Sequence, residues 1–322
     1  MRAAICPGYG PVEVVRVDAL DPPAIEPGKV RVRVAAAAVN FPDVLLVADK
    51  YQVSVPPPFV PGSEFAGVVE EVADDVDGVS VGDRVTGTGI VGAFAEQVVA
   101  PARNLTPIPD GVDAHVAAAF GVAHRTAYHS LRSVARVRPG DEVIVLGAGG
   151  GVGLAAVQLA VEMGAIVTAV ASSPGKLEVA ASYGARHLVD HRTADVRAAL
   201  REALPGGADV VLDPVGGDLS ETALRALRRG GRFVTIGFAS GEIPRIPLNL
   251  VLVKGVRILG FLFQDLDSEE MRRNESELHE LLASGRVVPH IGARLPLENT
   301  VEALRLVADG RAIGKVVIDV SG

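Results

Sequence analysis

The spacing of hydrophobic and polar positions along the chain changes near residue 111. Before this point, residues 30–34 alternate apolar and polar side chains, and residues 65–72 form a short apolar run. Both patterns predict strands, as do residues 81–85 and 94–99. Proline-rich turns, such as residues 56–58, separate them. The first third of the chain is therefore predicted to be a β-rich unit, a small barrel or sandwich.

Beyond residue 111 the pattern predicts alternating strands and helices. An Ala-rich helix is predicted over residues 113–134, and strand-length apolar runs alternate with crossover-length helices from residue 141. This alternation is typical of βαβ units around a parallel sheet. A strand predicted over residues 315–320 ends the chain and is expected to return to the first unit. The fold class is therefore α/β, with a doubly wound parallel sheet and a β-rich domain.

A glycine-rich turn follows the first strand of the second region. The strand over residues 142–146 runs directly into it, and a helix with one apolar face follows over 152–163. Glycines let a pyrophosphate approach the backbone, and the helix N-terminus offers unpaired N–H groups. Strand, turn and helix together predict dinucleotide binding, with contacts at Gly150, Gly151 and Val152.

The end of the second strand indicates which dinucleotide binds. An acidic side chain there favours NAD, whereas hydroxyls and a cation accommodate the 2′-phosphate of NADP. The strand over residues 166–171 is followed by Ser172, Ser173 and Lys176 and by no acidic residue before Glu178. We interpret this as an NADPH site, although capping serines and a helix-start lysine give the same pattern. His191 and Arg192, after the third strand, are candidates for the same phosphate.

Two later turns also fit a cofactor groove, because ligands lie outside the carboxyl ends of such strands. They are residues 213–217 and 237–241. We expect Gly237 and Phe238 to contact the cofactor, with plain structural turns as the alternative.

Composition and charge exclude several other classes of protein. The single Cys excludes an internal disulfide framework and a multi-cysteine metal site. The net charge of −8 leaves no basic excess for nucleic acid. No run of 18 apolar residues predicts a membrane span, and the N-terminus shows no apolar core of a secretory signal. A cytoplasmic setting is expected.

Several motifs along the chain resemble the medium-chain dehydrogenase/reductase superfamily, and most of all its zinc-independent NADPH:quinone oxidoreductases. They follow in the same order along nearly the full length, at residues 40–43, 61–67, 81–85, 147–153, 213–217 and 314–317. The resemblance implies a GroES-like substrate domain over residues 1–123 and 288–322. It also implies a Rossmann NADP-binding domain over residues 124–287, and a homodimer.

The chain departs from zinc alcohol dehydrogenases at the zinc ligands. In those enzymes Cys matches Asn40, His matches Ser63, and a third ligand Cys falls near Val122; the four-cysteine structural-zinc lobe is also absent here. We therefore expect no metal. A zinc-free site suits acceptors whose π-systems spread the charge of an added hydride, which favours quinones and conjugated enones.

Candidate catalytic residues come from the loops of the first domain. Asn40 is expected to bind a substrate oxygen or the nicotinamide, and Tyr51 to donate a hydrogen bond or proton to the developing oxyanion. The resemblance places Thr126 and Lys315 near the cofactor, and Phe263 at the nicotinamide pocket.

A few other polar residues are assigned supporting roles. Asp43 is expected to orient its neighbours or to cap a turn, and Glu64, His124 and His129 to have structural roles. The alternative functions are a 2-enoyl thioester (enoyl-CoA or acyl-carrier) reductase and a non-catalytic NADPH-binding protein.

Overall fold

The computed structural model describes residues 1–263 and 266–321. The chain folds into two compact units. Unit 1 comprises residues 1–122 and 288–322, and unit 2 comprises residues 123–287. The helix α2, Ala114–His129, contains the position where the chain passes from unit 1 to unit 2, and a π-helical turn, Ser130–Ala135, continues it.

Unit 1 is built on a seven-stranded sheet and a separate two-stranded sheet. Its strands are β1 Arg2–Ile5, β2 Arg16–Ala19, β3 Lys29–Val39, β4 Glu64–Val72, β5 Arg84–Thr88, β6 Gln97–Pro101, β7 Leu105–Pro107, β14 Ile291–Pro296 and β15 Lys315–Asp319. Its helices are α1 Phe41–Val47 and α9 Thr300–Ala308. The larger sheet has the order β14-β15-β3-β4-β5-β7, with β6 also paired to β3.

The long strand β3 organises the core of unit 1. Val30, Val32 and Val34 are buried at every second position, as the strand period requires. Strand β4 approaches its neighbour β3 closely at Gly67, where a Cβ would overlap the carbonyl oxygen of Arg33. A glycine is therefore needed at this position. Because β15 pairs with β3, the C-terminal part of the chain completes the sheet that the N-terminal part begins.

Unit 2 is a parallel sheet with intervening helices. Its strands are β8 Glu142–Leu146, β9 Ile166–Ala171, β10 His187–Asp190, β11 Ala208–Asp213, β12 Leu227–Thr235 and β13 Arg257–Gly260. Its helices after α2 are α3 Gly151–Glu162, α4 Pro174–Ser182, α5 Val196–Ala203, α6 Asp218–Ala226, α7 Leu248–Lys254 and α8 Ser268–Ala283. The order is β10-β9-β8-β11-β12-β13, and all neighbours are parallel. The strand order reverses between β8 and β11, where a doubly wound sheet binds its ligand.

The predicted fold class is confirmed, with two errors in strand position. The strand predicted over residues 81–85 begins only at Arg84, because Gly82 has a φ of +96° and the Asp83 carboxylate accepts the Ser80 N–H at 2.8 Å. These two features make a turn. The strand predicted over residues 94–99 begins at Gln97. The sequence patterns also did not reveal the short helices α1, α7 and α9.

None of the helices within residues 1–263 and 266–321 combines the length and the apolar character that crossing a membrane requires.

Candidate functional site

The glycine turn between β8 and α3 has the geometry of an anion site. Gly147 has a φ of +62°, which favours glycine. At Gly153 a Cβ would overlap the carbonyl oxygen of Gly147, so the first turn of α3 packs directly on the backbone of the loop. Gly150 precedes α3 in an extended conformation. As the N-cap residue, Gly150 offers no side chain to cap the first N–H groups of this twelve-residue helix. Those N–H groups can therefore bind a pyrophosphate.

The turns that follow β8, β11 and β12 meet at the carboxyl edge of the sheet. A Cβ on Gly147 would lie 2.7 Å from Val215 Cγ2, and one on Gly216 would lie 3.0 Å from Phe238 Cδ1. Gly237 and Phe238 are thus at the same edge as the glycine turn, and Phe238 is 38% exposed.

Asp213 fixes the turn after β11. This residue is fully buried, and its Oδ1 accepts the N–H groups of Val215 and Gly216, both at 2.8 Å. Its Oδ2 accepts the hydroxyl of Ser220 in α6. The carboxylate therefore ties the end of β11 to its turn and to the following helix.

Cationic side chains gather after β9 and β10. Lys176 Nζ donates to Ser172 Oγ at 3.2 Å, and the stem of Lys176 lies against Gly149 of the glycine turn. Burial and the charge of Arg192 lower the pKa of Lys176. Burial also lowers the pKa of His191, and the charges of Arg192 and Lys176 act in the same direction.

This mutual repulsion has a direct implication for ligand binding. Arg192 disfavours the charge on Lys176, and both cations disfavour a charge on His191, while Asp190 acts on His191 in the opposite sense. An anion bound between the cations would relieve the repulsion. The cluster therefore fits a phosphate group.

Unit 1 contains a buried polar cluster centred on Lys315, the first residue of β15. Lys315 Nζ donates to Glu64 Oε1 and Asn40 Oδ1, each at 2.6 Å, and to the Val39 carbonyl at 3.2 Å. An ammonium has three protons, so each has an acceptor.

Glu64 and Asn40 extend the cluster in two directions. Glu64 Oε1 also accepts from Asn40 Nδ2 at 3.0 Å, and Oε2 accepts the backbone N–H of Val122 in α2 at 2.7 Å. A Cβ on Gly121 would lie 3.1 Å from Glu64 Oε2, so the carboxylate contacts the helix backbone closely. Asn40 Nδ2 donates to Ser63 Oγ at 3.2 Å. The Asn40 amide is thus held on both its oxygen and its nitrogen.

Asp43 completes the cluster from the third residue of α1. Its Oδ2 accepts the backbone N–H of Asn40 at 2.7 Å. Burial raises the pKa of Asp43 to about 7, against the hydrogen bond from Asn40, the nearby Ser63 hydroxyl and the charge of Lys315.

The donor chemistry of this cluster does not fit a catalytic zinc ion. Such a site needs three protein ligands, drawn from thiolate, imidazole and carboxylate. Asn40 and Ser63 are neutral, Val122 has no donor side chain, and the Lys315 ammonium already occupies the cation position beside Glu64. No group of three His, Cys, Asp or Glu residues suited to a metal was found among the described residues.

The remaining predicted site residues have fewer described contacts. Tyr51 is partly buried and packs against the core of unit 1, and no hydrogen bond joins it to the Lys315 cluster among the described residues. Thr126 is a partly buried residue of α2. The Phe263 ring lies 5.7 Å from the His129 ring, and Arg125 lies over it at 5.1 Å. The catalytic role of Tyr51 and the cofactor contacts of Thr126 and Phe263 stay predictions.

Sequence reasoning missed how Glu64 and Lys315 act together. The two residues are 251 positions apart, and no local pattern connects them. The only available signal was a charged residue in an otherwise apolar segment at each position, because charges are rarely buried without a partner.

Two family models match the chain. The alcohol dehydrogenase GroES-like domain matches residues 26–110, and the zinc-binding dehydrogenase model matches residues 151–283. Quinone oxidoreductase-like protein 2 of Bos taurus is 35% identical, covering 98% of this chain and 92% of that protein. The spectinabilin polyketide synthase system protein NorB of Streptomyces orinoci is 38% identical over 91% of this chain but only 13% of its own length.

A solved structure shows the same architecture. The quinone oxidoreductase of Thermus thermophilus, also solved in complex with NADPH, aligns with a TM-score of 0.85 at 33% identity, over 99% of this chain and 100% of that one. Fold, site and matches together define an oxidoreductase that uses a nicotinamide cofactor. The chain belongs to the medium-chain dehydrogenase/reductase superfamily, in its quinone oxidoreductase family.

The buried ion pair generates a stability prediction. Lys315→Met is expected to cost about 3–5 kcal/mol of unfolding free energy, because it leaves the Glu64 carboxylate buried without its cation. Urea unfolding followed by circular dichroism measures the change. Adding Glu64→Gln should restore part of the loss. The matched control is Arg305→Met in the exposed pair with Glu13, which is expected to change little. Equal losses in Lys315→Met and Arg305→Met would contradict the assignment.

Proposed function

We propose that this protein reduces quinones or conjugated enones with NADPH and without a metal ion. The observation that carries the proposal is the unit 1 cluster, in which the Asn40 amide and the Ser63 hydroxyl stand at positions where the zinc dehydrogenases have metal ligands, and the Lys315 ammonium pairs with Glu64. Without a Lewis acid, the reaction favours acceptors that spread the added negative charge over their own π-system. Quinones and enones do this.

The cofactor is NADPH, which supplies a hydride when bound. The N–H groups at Gly150, Gly151 and Val152 hold its pyrophosphate at the start of α3. Lys176 and Ser172 bind the 2′-phosphate. Their side chains are hydrogen-bonded to each other, so an ammonium and a hydroxyl lie side by side, and both can donate to a phosphate.

A further cofactor contact comes from His191, whose lowered pKa leaves the imidazole neutral at pH 7, so that it offers the phosphate a hydrogen-bond donor. Gly237 and Phe238 contribute from the turn at the same sheet edge. Thr126 and Phe263 remain proposed contacts on the nicotinamide side, as does Asn40.

Asn40 and Tyr51 act on the acceptor. Both Nδ2 protons of Asn40 already have acceptors in Ser63 and Glu64. Asn40 therefore acts through its Oδ1, which Lys315 fixes and whose second lone pair can accept a hydrogen bond from the acceptor or the nicotinamide. The Tyr51 hydroxyl donates to the oxyanion as it develops. Because all three protons of Lys315 already have acceptors, its contribution to cofactor and acceptor binding is to position Asn40.

A 2-enoyl thioester is the second candidate acceptor. The 38% identity to a segment of a polyketide synthase protein favours it, since polyketide chains are carried as thioesters. Charge argues against an acyl-carrier partner at unit 1. Unit 2 has equal numbers of acidic and basic residues, so the net charge of −8 falls on unit 1 and would repel an acidic carrier.

A non-catalytic role as an NADPH-binding protein is the third candidate, and the acceptor experiment below decides it. The cytoplasmic setting expected from the sequence stays a prediction.

The protein forms a homodimer through β13 and α7. β13 is an edge strand of the parallel sheet, and its Ile258 is 41% exposed. Nearby in sequence, α7 exposes Leu248, Leu252 and Val253. An exposed edge strand beside exposed apolar side chains is a pairing surface. In two copies related by a two-fold axis, β13 of one copy would pair with β13 of the other, which would cover both edge strands and the apolar side chains beside them.

The acceptor specificity can be tested by following NADPH absorbance with quinones, enones and enoyl-CoA thioesters. We expect oxidation of NADPH with at least one quinone or enone, because the acceptor need not be a thioester. The rate should be unchanged after chelation, because no bound metal is required. Oxidation of NADH should be slower. Reactions without acceptor or without protein are the controls.

Two results of this panel would contradict the proposal. NADPH that binds but is oxidised by no acceptor would favour the non-catalytic protein. Activity that chelation abolishes and zinc restores would show that the reaction needs a metal.

Lys176→Ala is expected to weaken NADPH binding about ten- to a hundredfold, because a hydrogen bond to a charged group contributes about 1.5–3 kcal/mol. NADH binding should change little. Fluorescence titration measures both dissociation constants. Arg186→Ala is the matched control, since Arg186 is an exposed cation before the amino end of β10. An equal loss for NADH and NADPH would argue against a role at the 2′-phosphate.

Leu252→Glu is expected to convert the dimer to a monomer, because it places a charge in the apolar face of α7. Sedimentation equilibrium measures the mass. Leu188→Glu, at an exposed position of the opposite edge strand β10, should leave the mass unchanged. A wild-type protein that sediments as a monomer would refute the proposed interface.

A further inference from the structure

Asp43 is a buried carboxyl group that the proposed reaction does not yet use. Its side chain has no exposed surface. Oδ2 accepts the Asn40 N–H, whereas Oδ1 has no hydrogen-bond partner among the described residues. A carboxylate oxygen left without a donor in a protein interior is costly. A proton on the carboxyl group would remove the charge.

The charges around Asp43 favour the same conclusion. The titratable groups that face it are Glu64 from β4 and Lys315 from β15. Lys315 is paired with Glu64 at 2.6 Å, so this ammonium already balances one carboxylate. An ionised Asp43 would leave the buried cluster with one uncompensated negative charge, whereas a protonated Asp43 leaves it neutral.

Only two members of the cluster, Asn40 and Ser63, have more than a trace of exposed surface. Asp43 and Glu64 are 0% exposed and Lys315 is 3% exposed, whereas Asn40 and Ser63 are 7% and 8% exposed. The Ser63 hydroxyl lies close enough to the Asp43 carboxyl to lower its pKa, and Ser63 Oγ accepts a hydrogen bond from Asn40 Nδ2 at 3.2 Å. Among these five side chains only Ser63 can both take up and release a proton while touching the surface.

We propose that Asp43 holds a proton at neutral pH and supplies it, through the Ser63 hydroxyl, to the reduced acceptor. This inference rests on the proposed function, because the reduction of a quinone or enone leaves an anion that must be neutralised.

The proton transfer balances as follows. Hydride addition leaves a negative charge on the acceptor oxygen. The Ser63 O–H bond breaks as its proton moves to that oxygen, and the Asp43 O–H bond breaks as its proton moves to Ser63. The electron pair stays on Asp43 as a carboxylate, and water restores the proton before the next turnover.

The pH dependence follows from the same groups. Burial raises the pKa of Asp43 to about 7, so the acid form is present below this pH and is lost above it. Turnover should therefore fall as the pH rises through about 7, and this decline should disappear in Asp43→Asn.

Kinetic measurements test the transfer. Asp43→Asn keeps an acceptor for the Asn40 N–H but holds no transferable acid proton. We expect kcat to fall about 10²-fold and the decline above pH 7 to be lost, with an unchanged NADPH dissociation constant. Ser63→Ala should also lower kcat, and Ser63→Thr should restore it. Asp110→Asn, at an exposed site of unit 1, is the matched control. Wild-type kcat and pH profile in Asp43→Asn would overturn the proposal.

Infrared difference spectroscopy tests the proton itself, without turnover. A carbonyl band of a protonated carboxylic acid should titrate near pH 7 in the wild type, persist in Ser63→Ala and vanish in Asp43→Asn. A band unchanged in Asp43→Asn, or absent from the wild type at pH 6, would overturn the proposal. If the wild type reduces no acceptor, the proposed function fails. The infrared titration alone then decides whether Asp43 holds the proton.

Discussion

The hydrogen bonds of one ammonium group connect the parts of unit 1. Lys315 starts the strand that the C-terminal part of the chain adds to the sheet, and its nitrogen binds the end of β3, the residue that precedes α1, and the first residue of β4. Through Glu64 the same network contacts the backbone of α2 at Val122. A buried charge is tolerated only with such complete pairing, so the position of each segment depends on the others. The pair thereby fixes the Asn40 amide, which the proposed reaction needs in one orientation.

Close backbone packing has the corresponding role in unit 2. The first turn of α3 approaches the loop that precedes it so closely that Gly153 has no room for a side chain. Asp213 holds the neighbouring turn by accepting two N–H groups. These contacts fix the backbone at the carboxyl edge of the sheet, where its N–H groups can bind a ligand. The positive charges of Lys176 and Arg192, which follow β9 and β10, repel each other, and a bound phosphate would relieve that repulsion.

The parts of the fold that follow from local patterns could be predicted from the sequence. The apolar runs of β8 and β9 and the glycine turn between β8 and α3 are local features, and their predicted bounds agree with the structure. The Lys315–Glu64 pair depends on the pairing of β15 with β3, which connects distant parts of the chain. Likewise, the burial of Asp43 depends on packing around α1, whose seven residues are too few to give a helical period. Its unpartnered oxygen is a property of the packed cluster, with no counterpart in sequence spacing.

The central claim is that a hydride passes directly from NADPH to the acceptor without a metal. Transfer of deuterium tests it most directly. NADPH deuterated at both C4 positions would be incubated with an enone and chelator-treated protein, and the product analysed by mass spectrometry and NMR. Direct transfer predicts one deuterium per product molecule, on the carbon β to the carbonyl. A product whose new hydrogens all come from solvent would contradict the account.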